Sequence, residues 1–225
     1  MSWLAPVLCF SLIFLSLKKS LNSLLGWRGS FLLAALIWGI LVVVGTEVLS
    51  LFQAISYGYV LGFWLLNSLI AGVIFWKSQS QEKGFTFPSL PHFLMMDYVL
   101  LGSLIFIILL VGLIAWIAPP NNWDAMTYHM GRVVHWAQNH TVAHYPTHIM
   151  RQLWKAPWAE FAITHFYILN GNDQLANFIQ WFSLLGSLIG ISLIAQQLGM
   201  NRRGQLITAL IAAALPMGIL PGPGW

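Results

Sequence analysis

The chain has 225 residues, 58% hydrophobic and 7% charged. An ordinary soluble domain carries about 25% charged residues, so this chain cannot cover a soluble surface and reads as an integral membrane protein. The net charge of +4 suits loop charge that sets membrane orientation and does not suggest a nucleic-acid partner. The single cysteine, Cys9, excludes an internal disulfide and any cysteine-based metal site.

The opening MSWLAPVLCFSLIFLSLKK has no basic residue before its apolar run. It therefore reads as a first membrane helix and not as a signal peptide. Six spans are predicted in order: Trp3–Leu17, Ser30–Phe52, Tyr57–Trp76, Tyr98–Ile117, Gln174–Leu198 and Gln205–Leu220. The first is short against the roughly 20 residues a span needs. Lys18, Lys19 and Arg28 fall in the loop after it, and Glu47 is the one charge of the second span. Gly58-x-x-x-Gly62 and Gly186-x-x-x-Gly190 have the spacing that lets helix backbones approach closely. A polar linker from Lys77 to Asp97 carries Glu82, Lys83, Pro88 and Pro91. Pro119-Pro120 lacks backbone donors and stops the fourth span.

Between spans four and five, residues 119–173 hold six of the seven histidines, which marks them as the chemical part of the chain. The expected architecture is all-α: about six transmembrane helices with an external loop of amphipathic helices between spans 4 and 5. It divides into residues 1–97, with three spans and a linker, and residues 98–225, with the loop and the last three spans. Six alternating spans place Lys18, Lys19, Arg28, Lys77, Lys83, Arg202 and Arg203 on one side. The positive-inside rule makes that side cytoplasmic, leaving both termini and the loop 119–173 non-cytoplasmic.

Within the loop, Asn121 and Asn122 follow the proline stop and can cap a helix start. Asp124, Tyr128, Arg132 and His135 then recur at spacings of four, four and three, which puts them on one face. An amphipathic helix lying on the membrane surface is expected. Its polar face suits transfer from a lipid phosphate: a carboxylate as general base and a guanidinium against the departing phosphate. The same residues also fit simpler roles, Asp124 as a charge favouring the helix dipole and Arg132 as a headgroup contact. His140, His144 and His148 have zinc-like spacing, but Pro146 interrupts them. In RQLWKAPWAE, Pro157 fits a first helical turn and Glu160 begins a membrane-entering or re-entrant run. Burial beside Trp158 and Phe161 would raise the pKa of Glu160. It could pair with Lys155, hold a metal with Asp124, or simply face water.

The strings NNWDAMTYHMGRVVHWAQN and HYPTHIMRQLWKAPWAEFAI resemble the GT-C-fold membrane glycosyltransferases. The likeness is narrower to the mannosyltransferase, aminoarabinose transferase and lipopolysaccharide-sugar transferase group, whose bacterial members carry a WD-x-M-x-YH element here. It covers about Pro119 to Met217. The resemblance implies a bacterial inner-membrane enzyme that moves a sugar from a polyprenyl-phosphate donor to a glycan, lipid or protein acceptor. It implies Asp124 as the catalytic acid-base group with Glu160 as its companion. Tyr128, His129, Arg132 and Lys155 would contact substrate. No cofactor is required by this reading, though a divalent metal is compatible with it. The resemblance also implies ten or more spans, so a chain ending on PGPGW after six is expected to be a truncated, potentially inactive member. A non-catalytic membrane subunit is the alternative. A transporter component fits less well, since Glu47 alone is ionisable within a predicted span.

Overall fold

The computed structural model describes residues 1–79 and 94–215, without the side chains of Asn22, Ser23 and Gln79. The linker residues Glu82, Lys83, Pro88 and Pro91, and the end of the sixth predicted span with its PGPGW tail, lie outside the described residues. Those that are described form helices and no strand. Five helical segments are long and apolar enough to cross a membrane: Leu4–Leu21, Leu24–Leu51, Tyr57–Ser78, Met95–Ile117 and Ala176–Gln197.

The first two segments are the arms of one hairpin, α1 (Leu4–Leu51), reversed at Gly26, where φ is 60° and ψ is −178°. A left-handed φ is open to glycine at little cost because it lacks a Cβ. The arms run antiparallel: Phe31 meets Phe10 at 5.3 Å between ring centroids, and Trp38 Nε1 donates to the Pro6 carbonyl at 3.0 Å. The expected loop around Lys18, Lys19 and Arg28 is therefore helical. No proline interrupts this stretch, and Leu21, Leu24 and Leu25 continue the helix to the glycine. The first span is accordingly longer than expected.

After α2 (Tyr57–Gln79) and α3 (Met95–Ile117), Pro119-Pro120 follow the end of the helix as anticipated. Next come a π-helical turn (Ala125–His129), α4 (Met130–Asn139), the one-turn α5 (Arg151–Trp154) and α6 (Trp158–Asn170). The last helices are α7 (Ala176–Gln197) and α8 (Arg202–Ala214). The 13 described residues of α8 rise roughly 20 Å at about 1.5 Å each, short of a bilayer core. The sixth span is thus absent among the described residues.

The core forms where α6 enters the α1–α2 groove. Phe161, Ala162, Phe166 and Leu169 of α6 pack with Trp38 and Val42 of α1 and with Val60 and Trp64 of α2. One buried histidine fastens this junction. Trp64 Nε1 donates to His165 Nδ1 at 2.9 Å, so the ring proton lies on Nε2 and is directed at Thr46 Oγ1, 3.0 Å away. Thr46 in turn donates to the Val42 carbonyl.

The two glycine pairs do not mediate close packing. A Cβ at Gly58, Gly62 or Gly186 would meet nothing within 4 Å, and at Gly190 only a leucine methyl at 3.9 Å. The close approaches lie elsewhere, where a ring covers a glycine: Phe63 on Gly45, Trp181 on Gly112 and Trp158 on Gly39. Bulky aromatics on the neighbouring helix seek out the bare backbone, which spacing along one helix does not reveal.

Contacts sort the termini of the spans into two ends. At one, Arg28 donates to Ser192 and Gln205, and Arg203 pairs with Asp97. At the other, the α1–α2 turn, the chain start and residues 119–173 come together. Ile55 N–H donates to the His140 carbonyl, Val142 N–H to Ser50 Oγ, and Ser2 Oγ to the Leu169 carbonyl.

Candidate functional site

The site is built from the loop end. Asn122 Oδ1 accepts the Ala125 N–H at 2.7 Å, so an asparagine caps the turn as its residue type suggests. Asp124 makes no such cap and projects instead to Arg151, Oδ1 to Nη1 at 3.0 Å. Over Ala125–His129 the backbone takes the wider π turn, which inserts a residue into the helical count. The regular face of Asp124, Tyr128, Arg132 and His135 is broken by that insertion. His129 and Arg132, three apart on the continuing helix, point together into the protein.

They converge on Glu160, in the first turn of α6. Its Oε1 lies 2.8 Å from His129 Nδ1 and 2.9 Å from Arg132 Nη1. The Glu160 side chain is 1% exposed and that of Arg132 is 4% exposed. Arg132 also donates to the Lys155 carbonyl at 3.0 Å and lies over Trp136 at 4.9 Å. This overturns three expectations. Arg132 is not at a headgroup surface, Glu160 does not face water, and Glu160 pairs with Arg132 and His129 rather than with Lys155. A buried guanidinium needs a counter-ion, and the first turn of α6 supplies it. Burial does push the Glu160 pKa up, as anticipated. The His129 hydrogen bond, the Glu160 backbone N–H and the Arg132 charge outweigh it and hold the pKa below the ordinary carboxylate range.

Tyr128 is fully buried beside this pair, its ring 4.0 Å from that of His129. Burial, then the charges of Asp124 and Glu160, raise its pKa. Lys155 Nζ sits 5.6 Å and the Arg151 guanidinium 5.9 Å from the Tyr128 ring centre. All six predicted site residues thus belong to one neighbourhood, joined by ion pairs or ring contacts. Three polar atoms there are buried without a hydrogen-bond partner: Glu160 Oε2, Tyr128 OH and Arg132 Nε.

Gln152 is a member of the site that sequence reasoning missed. It donates to the Thr127 carbonyl at 2.7 Å and accepts from Tyr145 and Thr147 at 3.0 and 2.8 Å. One side chain thus ties the π turn to residues 145–147. Its amide sits where a Cβ on Gly131 would be, 2.8 Å away. No pattern in RQLW marks a glutamine for this task.

The histidine ladder does not assemble. His140 bonds the Ile55 carbonyl at 2.9 Å, and among the described residues no three His, Cys, Asp or Glu side chains converge. Asp124 and Glu160 are each engaged by an arginine. This donor set does not fit a divalent cation.

Two cavities flank the cluster. A groove of about 570 Å³ runs between α6, α7 and α8. It is lined at the loop end by Asn122, His129, Asn177 and Gln180, and deeper by Leu184, Leu188, Ile191 and Leu215. The second cavity, about 640 Å³, is more polar, with Glu47, Arg132, Trp136, Gln152, Trp154 and Lys155 in its wall. Glu160 lines neither of them. It stands between, with His129 turned to the groove and Arg132 to the polar cavity. No protein-family model, curated protein or solved structure matches the chain.

Proposed function

We propose that this chain is a GT-C-type glycosyltransferase, or the donor-binding part of one, that takes a sugar from a polyprenyl phosphate at the non-cytoplasmic face of the membrane. The observation that carries the reading is the apolar groove along α7, which ends at a cluster of cations and carboxylates. A lipid tail fits the groove by its chemistry, and the adjoining polar cavity with Trp154 and Lys155 suits a sugar. The grouping of Arg28, Arg202 and Arg203 at the opposite end favours the loop end as external.

In this reaction Asp124 accepts the proton of the acceptor hydroxyl as its oxygen bonds to the anomeric carbon. The bond from that carbon to the phosphate oxygen breaks, and its electron pair leaves with the phosphate. Inversion at the anomeric carbon follows from displacement on the opposite face. Lys155 and Arg151, beside Tyr128, steady the phosphate charge. Asp124 suits the role of base better than Glu160 because it is partly exposed, and its partner Arg151 is 55% exposed, so the pair can open.

The test is sugar transfer from labelled polyprenyl-phosphate sugars by the protein in proteoliposomes. Asp124→Asn is expected to lower kcat by about a hundredfold or more, the usual worth of a general base, with unchanged thermal unfolding. Equal activity in the variant, or no transfer by the wild type, sinks the proposal and favours a non-catalytic subunit.

A further inference from the structure

The polar cavity of about 640 Å³ contains an acid that the fold itself does not use. Its wall joins Glu47, Ser50 and Leu51 from the end of α1 to Arg132 and Trp136 of α4 and to residues 152–157. Small-molecule sites commonly enclose about 300–1,000 Å³.

Glu47 lies four residues before the end of the apolar segment Leu24–Leu51. An ionisable group in a span is costly and is kept where it has a task. Helix stabilisation does not explain this one, because it stands near the negative end of the α1 dipole, where a carboxylate is disfavoured. Its neighbours one turn away along α1 are Val43, Val44, Leu51 and Ser50. The Ser50 hydroxyl is already engaged by Thr141 and by the Val142 N–H. Among the described residues no hydrogen bond or ion pair engages the Glu47 carboxylate.

The two cations of the same cavity differ. Arg132 is neutralised by Glu160 at 2.9 Å. The Lys155 ammonium meets only rings, 5.6 Å from the centre of Tyr128 and 5.7 Å from that of Trp154. Glu47 and Lys155 are therefore opposite charges that share one cavity and do not pair. A carboxylate only accepts hydrogen bonds and an ammonium only donates them. A ligand that spans the two needs oxygen acceptors at one end and hydroxyl donors at the other, which is the layout of a sugar phosphate. Trp154, 67% exposed, adds an aromatic face for the C–H side of a sugar ring.

Resting on the transfer reading above, we infer that Glu47 is the residue that reads the donor sugar. With the phosphate at Lys155, the sugar lies across the polar cavity, and Glu47 accepts hydrogen bonds from its hydroxyls on the side away from the phosphate. The site then takes a neutral, hydroxylated sugar. It disfavours a uronic acid, whose carboxylate would meet a like charge at Glu47. Glu47 binds and takes no part in bond making or breaking.

The experiment titrates the protein in lipid nanodiscs, free of sugar detergents, with glucose, galactose and mannose 1-phosphates and with inorganic phosphate. Binding is read from tryptophan fluorescence. Single-deoxy analogues and the uronic acid counterpart of the tightest binder follow. Wild type, Glu47→Ala and Glu47→Gln are compared, each first checked for a cooperative melt. Glu47→Ala is expected to weaken the tightest sugar phosphate by about tenfold, the worth of a hydrogen bond to a charged group, and Glu47→Gln by less. Inorganic phosphate should bind both variants no more weakly than wild type. Removing a hydroxyl that Glu47 reads should cost the wild type about tenfold and Glu47→Ala nothing, because both changes delete one interaction. The uronic acid should bind wild type more weakly than its parent and recover in Glu47→Ala. Should Glu47→Ala not fold, Glu47→Gln carries the same comparison with a smaller loss.

Deoxy losses that are equal in wild type and variant overturn the inference, as does a wild type that binds no sugar phosphate more tightly than inorganic phosphate. Tighter binding of every ligand by Glu47→Ala, inorganic phosphate included, would reduce Glu47 to a repelling charge and overturn it too. Transfer from polyprenyl-phosphate sugars with kcat/KM unchanged in Glu47→Ala sinks the sugar role and leaves the transferase reading. Glu47-dependent sugar binding without any transfer does the reverse.

Discussion

Arginines hold both ends of the helix bundle, on different terms. At the end away from the loop, Arg28 donates to Ser192, Gln205 and Gln196, and Arg203 pairs with Asp97 while 44% exposed. Neutral acceptors satisfy Arg28, and a carboxylate together with solvent satisfies Arg203. At the loop end Arg132 is buried against Glu160, and three polar atoms around it have no partner. Buried polar groups are almost always hydrogen-bonded, so an unsatisfied cluster beside two cavities is where a ligand has polar work to do. The satisfied end sets architecture, and the unsatisfied end is suited to chemistry.

The largest expected effect is on that contrast itself. Glu160→Ala leaves the Arg132 charge buried and unpaired, which costs about 3–5 kcal/mol. Arg28→Ala removes hydrogen bonds to neutral partners, which water can replace, and should cost about 1–2 kcal/mol. Denaturant unfolding of both in the same micelle checks the ranking, and equal losses would erase the distinction between the ends.

Second is the fastening of α6. His165→Leu strands Trp64 Nε1 in the core, takes from Thr46 Oγ1 the bond it accepts, and should cost about 1–3 kcal/mol, read from the melting curve. A wild-type melt would mean the junction is held by its apolar packing alone.

The third contrast is with pH. The folded-state pKa of Glu160 lies below its unfolded value, so its contribution is complete above the unfolded value of about 4.3. It fades as pH falls through the lower folded value. Wild-type stability should therefore drop on acidification below about pH 4.3, and Glu160→Gln should flatten that limb. An unchanged limb in the variant would place the acid-sensitive pair elsewhere.

The smallest effect concerns the glycines. Gly62→Ala should be silent within about 0.5 kcal/mol, since its Cβ meets nothing within 4 Å. At Gly45 the added Cβ would fall 2.6 Å from the Phe63 ring and should cost about 1–3 kcal/mol by overpacking. Matching melts for the two variants would contradict the packing described.

Much of this was readable without a structure. Long apolar runs have to be helical in a membrane because every backbone donor must be satisfied within its own segment. Composition alone therefore predicted six spans, five of which coincide with helices long and apolar enough to cross a membrane, and Pro119-Pro120 marked where the fourth predicted span stops. The concentration of histidines and charges in 119–173 located the site, and Asn122 announced its cap. The reversal between the first two spans was legible, but not that helix runs up to a sharp turn at Gly26, because a lone glycine in an apolar helix looks the same whether the chain bends there or runs through. The sixth helix was legible too, though the part of it among the described residues is too short to span.

Within the site, residue types were foreseeable and partnerships were not. Spacing along one helix assumes a regular turn, and the π turn at Ala125–His129 shifts the count by one residue. Arg132 then reaches across 28 residues to Glu160, and Arg151 across 27 to Asp124. The sign of the Glu160 pKa shift rests on His129, the Glu160 backbone N–H and Arg132. Burial, which the apolar neighbours foretold, pushes it up, while His129 and Arg132, which only the fold brings near, pull it further down. Local sequence determined which segments are helical and which stretch is polar. Tertiary packing decided which charges meet, because Coulomb energy depends on distance in space and not on separation along the chain.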